Sequence, residues 1–330
     1  MTNDYPSARV FLLMAPIAYT ISPYLLRYLE KIETIRQQIL LYPLSPKHEL
    51  GLQFHATIDR VHFGLALTGQ HVHPEKVQTI LANQIIFAIQ KNSKYKDPIQ
   101  TNVLQYKQAI DYIKRDWTLS TKSISTETFL HLYAITGDPN IVITEKNFYD
   151  IVTYLQASND SPFIQAALAK LLFRHLFPDS AYAEVFSTMS SYLFLYQSGM
   201  DCRGLLVLEK PWAQDQKLFN GYYATAIARP NVTGWLEYFV KTVYQQLEAT
   251  FQTFAQAQVK REEEKIGKLN ERQKVIMTLL DDPNAIITNR TIQKIFHISP
   301  ITSSRDLAKL TLLGLLIQQG KGRSVRYTRI

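Results

Sequence analysis

From residue 21 to residue 256 the apolar side chains of this chain recur at helical spacing, and alternation of the strand kind is rare. Nothing else in the sequence constrains the fold as strongly, because a stripe with a 3.6-residue period cannot keep one face of a strand in a core. Twelve glycines in 330 residues leave long helices unbroken. Ser22-Pro23 opens a first helix through Leu26, Leu29, Ile32 and Ile35, and a second is expected from about Pro46 to Leu67. Pro74 opens a third through Val77, Ile80 and Leu81, and another runs from Pro98 through Tyr106 and Ile110 to Ile113. Ser161-Pro162 begins a strongly apolar one with Ile164, Leu168, Leu171 and Leu172. Trp235, Phe239, Val243, Leu247, Phe251 and Phe254 line a long later one. A proline at the first helical position gives up only an N–H that would have no partner there. Over residues 257–269 the stripe gives way to Lys-Arg-Glu-Glu-Glu-Lys, which reads as a solvated helical linker. The expected organisation is a helical domain over 1–256, with an N-terminal helical region over 1–95, then the linker, then a small domain over 270–330.

That last segment carries most of the positive charge. Between Asn270 and Ile330 ten Lys and Arg face four acids, which is +6 of the whole chain's +8. A local basic excess is the electrostatic footprint of a phosphate-backbone partner. Val275, Ile276, Leu279 and Leu280 give a first short helix, and Asp281-Asp282-Pro283-Asn284 gives a turn. Thr288 or Asn289 caps a second helix through Ile292, Ile295 and Phe296, and His297-Ile298 turns the chain tightly. Ser299 caps a third, with Pro300 at its first position, Ile301, Leu307, Leu310 and Leu313 inward, and Gly314 at its end. Ile317–Gln319 reads as a strand, Gly320-Lys321-Gly322-Arg323 as a turn, and residues 324–330 as a second strand. Helix, helix, helix, hairpin resembles the winged helix-turn-helix modules of bacterial regulators. In such a module Ser299, Thr302, Ser303, Ser304, Arg305 and Lys309 of the third helix suit a major groove. Lys321, Arg323 and Arg326 on or beside the wing suit phosphates or a minor groove. The expected partner is double-stranded DNA. A winged module used only for protein contacts is the alternative.

The length allows about two domains. No apolar run reaches the ~20 residues of a membrane span, and the N-terminus shows no signal-peptide pattern, so a cytoplasmic location is expected. Cys202 is the sole cysteine, which excludes an intramolecular disulfide and a cysteine-based zinc cluster. His71 and His73 could touch a metal, but no third ligand is evident. Asp201-Cys202-Arg203 could activate the thiol, yet no histidine pairing supports it. There is no glycine-rich phosphate loop, and no cofactor or metal is expected.

Four stretches of the helical body follow the pattern of one known family. Ser22-Pro-Tyr-Leu-Leu-Arg-Tyr-Leu-Glu-Lys-Ile-Glu33 is similar to the family's N-terminal helix. Pro162-Phe-Ile-Gln-Ala-Ala-Leu168 with Phe173 is similar to the helix entering its catalytic loop, and Leu193-Phe-Leu-Tyr-Gln-Ser-Gly199 to the helix leaving it. Tyr222-Tyr223 and Thr233-Gly-Trp-Leu-Glu-Tyr-Phe239 match the end of the core. On these stretches the helical body resembles the Fic family, which implies a mainly α chain: a Fic-like helical core followed by a small α/β winged helix-turn-helix domain. The family's catalytic motif is H-P-F-x-[DE]-G-N-G-R-x-x-R. In active members the histidine is the general base on a target hydroxyl, the acid holds Mg²⁺, and the glycines and arginines cradle ATP phosphates.

Aligned without gaps from Pro162 forward or from Gly199 backward, the motif falls on Phe177 to Thr188. The histidine becomes Phe177, the metal-binding acid Ala181, the Gly-Asn-Gly triplet Tyr182-Ala183-Glu184, and the arginines Val185 and Thr188. A two-residue shift would place His175, Phe177 and Asp179 on the motif's His, Phe and acid, and would still lose the glycines and arginines. The family's self-restraining glutamate falls on Thr68, and its target-docking flap is shortened to about Gly137-Asp-Pro-Asn-Ile-Val-Ile143. The expectation is a pseudoenzyme: a DNA-binding transcription regulator or DNA-tethered adaptor. Its body would dimerise, bind a protein, or sense a small molecule in the vestigial cleft. The alternatives are an AMP transferase (protein adenylylation) using His175, and a protein-interaction module without DNA binding.

Overall fold

The computed structural model describes residues 17–83, 97–138, 141, 143–157, 160–177, 180, 182–282 and 285–329, leaving aside the side chains of residues 255, 257–264 and 323. The chain forms two compact units, one ending at Phe251 and one beginning at Gln252.

In the first unit α1 (Pro23–Leu41), α2 (Pro46–Leu67), α3 (Pro74–Ala82) and α4 (Pro98–Trp117) each begin on a proline. They are followed by α5 (Thr126–Thr136), α6 (Glu145–Ala157), α7 (Pro162–Leu176), α8 (Tyr182–Gln197), α9 (Glu209–Gln214) and α10 (Gln216–Ala228), and α11 (Thr233–Gly267) begins here. Caps explain several boundaries. The Ser22 hydroxyl accepts the Leu25 amide at 3.1 Å, and Asp97 accepts the Ile99 amide at 3.0 Å. At the end of α2 the Gly69 amide reaches Ala66 and the Gln70 amide reaches Leu65, both at 3.0 Å. This arrangement needs the left-handed φ of +82° that Gly69 adopts without steric cost.

The core centres on α7 and α8. Ala166, Ala167, Leu168 and Ala169 are fully buried on the first, and Met189, Leu193 and Leu195 on the second. Small residues let the two backbones approach closely enough for the Ser191 hydroxyl to donate to the Ala166 carbonyl at 2.8 Å. An aromatic cluster of Phe129, Phe148, Phe173, Phe177 and Phe186 closes one side. Two expectations need correction. Leu25 is buried on α1 while Leu26 is exposed, although Ile32 and Ile35 of the expected stripe are buried. Helices α5 and α6 were not anticipated from the spacing. Residues 1–16 and 84–96 of the expected N-terminal region lie outside the described residues. No helix among the described residues is long and apolar enough to cross a membrane.

The second unit contains α12 (Glu271–Thr278), α13 (Asn289–Phe296), α14 (Pro300–Leu312), β1 (Leu316–Gln319) and β2 (Arg326–Arg329). The strands pair antiparallel with Leu316 opposite Arg329, and Ile287 bridges to Tyr327 as a further rung. A core of Leu269, Ile276, Leu280, Ile287, Ile292, Leu307, Leu310 and Leu316 holds it together. The order of elements follows the sequence expectation, with adjustments. Leu269, read as linker, packs in this core. Ile301 is 65% exposed, not inward, because Ser303, Asp306, Leu307 and Leu310 take the buried face. Val275 and Leu279 are exposed, Ile276 and Met277 carry the inward face of α12, and Leu280 just past its end joins the same core. Ser324 belongs to a 3₁₀ turn (Gly322–Ser324), so the second strand starts at Arg326. Pro283 and Asn284 lie outside the described residues.

Candidate functional site

The basic unit is built around α13 and α14. Thr288 caps α13, its hydroxyl accepting the Thr291 amide at 3.1 Å. His297 then turns the chain with a left-handed φ of 53°. Ser299 starts α14, its hydroxyl accepting the Thr302 amide at 3.2 Å and lying 2.9 Å from the Thr302 hydroxyl. Asn289 ties the two helices together: its Nδ2 donates to Ser304 Oγ at 2.6 Å and to the Pro300 carbonyl at 3.3 Å. Asn289 was not among the expected site residues, though its place beside the capping Thr288 could have drawn attention to it.

The expected contact residues separate by environment. Ser304 and Arg305 on α14, Lys321 in the hairpin turn and Arg326 on β2 are exposed. Ser303 is a correction: it is fully buried, and its hydroxyl donates to the Asn289 carbonyl at 3.1 Å. Such a hydroxyl holds the helix–helix angle and cannot reach a base. Lys309 is half-buried, with Nζ donating to the Lys268 carbonyl at 2.6 Å. Ser299 and Thr302 serve the cap. The side chain of Arg323 lies outside the described residues.

Ion pairs decide where the net charge sits. Asp306 is buried and receives Arg272 at 2.6 Å and the Gln273 amide at 2.7 Å. Lys274 pairs with Glu271 at 2.8 Å, and Arg329 pairs with Asp281. Arg290 and Lys294 are exposed on α13 one turn apart, and they form no ion pair among the described residues, nor do Arg305, Lys321 or Arg326. The surplus charge therefore lies on α13, α14 and the hairpin. Arg290 and Lys294 count in the sequence's charge excess, but their exposure beside α14 is visible only in the fold.

In the helical unit the α7–α8 junction is where the ungapped register puts the family motif. Phe177 is a core aromatic, 5.2 Å from the Tyr133 ring and 6.0 Å from Phe186. Thr188 is buried, and its hydroxyl accepts Lys170 Nζ at 2.7 Å. Lys170 also reaches the Glu184 carboxylate at 2.5 Å and Ser187 Oγ at 3.1 Å, and it lies 5.2 Å from the Trp212 ring. Burial pushes the Lys170 ammonium down to about 8, against the opposing pull of Glu184. Arg174 takes the other carboxylate oxygen of Glu184 at 3.0 Å and stacks 4.0 Å over Tyr223. The sequence reading missed Lys170 and Arg174. A lysine in a run as apolar as Ala166–Phe173 was the available signal.

For the shifted register, His175 stands in the last turn of α7, and Asp179 lies outside the described residues. Pro139, Asn140 and Val142 of the expected flap also lie outside them. Beside α8 a cavity of about 120 Å³ is lined by Thr68, Gln70, Asn102, Tyr106, Tyr182 and Val185, among others, all with neutral side chains. The positions expected for the self-restraining glutamate and the motif's first arginine thus line one cleft. Beneath it the Tyr106 and Tyr192 hydroxyls each donate to the buried Glu209 carboxylate at 2.7 Å. Elsewhere, Cys202 is buried, and its thiol is pushed up to about 12 by burial with Asp201 adding to it. Arg203 is bound to Glu49 rather than to the thiol. His73 caps α3, with Nδ1 accepting the Glu75 amide at 3.4 Å.

No family model matches the sequence, and no curated protein matches it. Among solved structures, the crystal structure of a Fic family protein from Desulfovibrio desulfuricans G20 is similar, with a TM-score of 0.56 and 12% identity. The match covers 96% of this chain and 98% of that one. At that identity the likeness is one of fold: a Fic-like, mainly helical chain with a small C-terminal α/β part.

Proposed function

We propose that this chain is a DNA-binding transcription regulator or DNA-tethered adaptor whose Fic-like body carries out no nucleotidyl transfer. The observation that carries it is the placement of surplus charge. Three of the domain's four acids are spent on Arg272, Lys274 and Arg329, and the exposed cations Arg290, Lys294, Arg305, Lys321 and Arg326 gather on two adjacent helices and a hairpin. Three helices followed by a hairpin is the order of a winged helix-turn-helix, with α14 as the helix that enters the major groove.

The α7–α8 junction supports the second half of the reading. ATP with Mg²⁺ needs cations and a carboxylate aimed at its phosphates, and the cleft beside α8 has neutral walls. The Lys170 and Arg174 cations are already held by Glu184. The residues present do not fit a triphosphate. They suit an uncharged ligand or a protein partner, and a dimer would give the palindromic site that winged-helix readers commonly use.

The test is binding of the full chain to random-sequence duplex across a salt series. Log affinity falls by about 0.9 per neutralised phosphate against log salt. Replacing Arg290, Lys294, Lys321 and Arg326 one at a time with Gln is expected to lower that slope by about one each. A chain that binds no duplex, or whose slope ignores these residues, would instead be a protein-interaction module.

A further inference from the structure

The exposed face of α14 has a composition that phosphate binding alone does not explain. Ile301, Arg305, Ala308 and Leu312 follow one another at i, i+4, i+7 and i+11, one stripe down the helix. Ile301 is 65% exposed and Leu312 is 88% exposed, with Arg305 and Ala308 exposed between them. The opposite face, Ser303, Asp306, Leu307 and Leu310, is buried in the domain's core, so the rotation of the stripe is set by the fold. The one acid of the helix, Asp306, lies on that buried face and is held by Arg272. The stripe therefore presents a cation flanked by aliphatic groups, in a domain whose surplus charge selects a polyanion.

In a DNA major groove one base alone offers an apolar group, the C5-methyl of thymine, and guanine offers the acceptor pair that suits Arg. We infer that α14, on the reading of this domain as a DNA binder, recognises thymine methyl groups on both sides of a guanine. Arg305 takes the guanine edge, Ile301 takes a methyl on one side, and Ala308 and Leu312 take methyls on the other. At 1.5 Å per residue, Ile301 lies about 6 Å from Arg305 along the helix, Ala308 about 4.5 Å and Leu312 about 10.5 Å. With base pairs ~3.4 Å apart, these distances correspond to roughly two, one and three steps from the guanine. The preferred half-site is a short stretch with thymines at those offsets around one guanine.

The experiment uses the full chain. A duplex enriched from a random pool is resynthesised with deoxyuridine at one thymine at a time, which removes a methyl and leaves charge and base pairing unchanged. Each methyl that α14 contacts is expected to cost about fourfold in affinity when removed, the effect of one buried methyl group. Ile301→Ala should erase the thymine–uridine difference on one side of the guanine, and Leu312→Ala should erase it on the other. Both residues are exposed, so the variants should fold, and a thermal melt checks it. A site indifferent to uridine throughout overturns the inference while DNA binding stands. So does a site whose thymine dependence survives both variants, or a Leu312→Ala chain that loses self-association with unchanged DNA affinity. Retention of no duplex even at about 50 mM salt overturns the DNA-binding reading itself, and the inference with it.

Discussion

Lys170 shows what a single residue can conceal in a sequence. It stands in the middle of the apolar run of α7, and its ammonium is buried against Glu184, Ser187 and Thr188. A buried pair contributes little net stability, but removing Lys170 leaves the buried Glu184 with the Arg174 cation alone, at a cost of up to ~3–5 kcal/mol. Lys170→Met should therefore destabilise the helical unit by about that amount, and Lys170→Met combined with Glu184→Gln should recover much of the loss. Equal destabilisation of the single and double variants in urea unfolding would show that the pair does not hold the junction. The lysine also predicts a pH dependence. Its folded value of about 8 lies below the ordinary 10.5, so between those limits the unfolded chain binds more protons. Stability of the wild type, measured against the double variant, should rise as pH climbs through that window and be flat below it. Phe177, Val185 and Thr188 could be set against a fixed pattern in the sequence, so an expectation for them needed no tertiary context. The Lys170 network was not legible, because Lys170 meets its partners only when α7 packs on α8.

Helices were most legible where their signals are local. Pro23, Pro46, Pro74, Pro98, Pro162 and Pro300 each mark a helix start, and each stands at the first position of the helix observed. A proline acts on its own backbone, so no tertiary context is needed to read it. Helix α5 was missed although Ser125 and Thr128 form a reciprocal cap, a weaker signal than the Glu or Gln usually found at that position. The face of a helix was less legible than its ends. Ile301 and Val275 are apolar yet exposed, while Ser303 and Asp306 are polar yet buried, because hydrogen bonds to Asn289 and Arg272 compensate their burial. The ends of α14 give a direct prediction. Ser299→Ala removes the acceptor of the Thr302 amide and should cost ~1 kcal/mol. Gly314, at φ +66°, closes the helix so that the Leu315 amide reaches the Leu310 carbonyl, and Gly314→Ala should cost ~1–2 kcal/mol. Amide exchange along α14 should quicken in both variants. Unchanged DNA site preference in Ser299→Ala would assign that residue to the cap rather than to readout.

At the scale of the whole molecule, a Fic-like body and a basic three-helix unit share one chain, and the chemistry of the body has a direct test. Nucleotidyl transfer depends on positioning a nucleophile and neutralising phosphate charge, with little else for the protein to do. In the ungapped register a general base would stand at Phe177, which is packed among Tyr133 and Phe186. Cations would stand at Val185 and Thr188, where the structure has a cavity wall and a hydroxyl spent on Lys170. Thr68, where the sequence resemblance would place a restraining glutamate, has its hydroxyl on the Leu65 carbonyl at 2.7 Å. Thr68→Glu should then alter no activity, because among the described residues no arginine lines the cleft beside it. The measurement is incubation of the full chain with labelled ATP, Mg²⁺ and cell extract, and of the chain alone. No transfer of label is expected in either case. Label that appears and is lost in His175→Ala would overturn the pseudoenzyme reading and establish the shifted register, with the last turn of α7 supplying the base. Label that persists in His175→Ala would place the chemistry elsewhere in the chain or in a contaminant, and repeating the assay on Lys170→Met would distinguish them, since only an activity of this fold should respond to a disrupted α7–α8 junction.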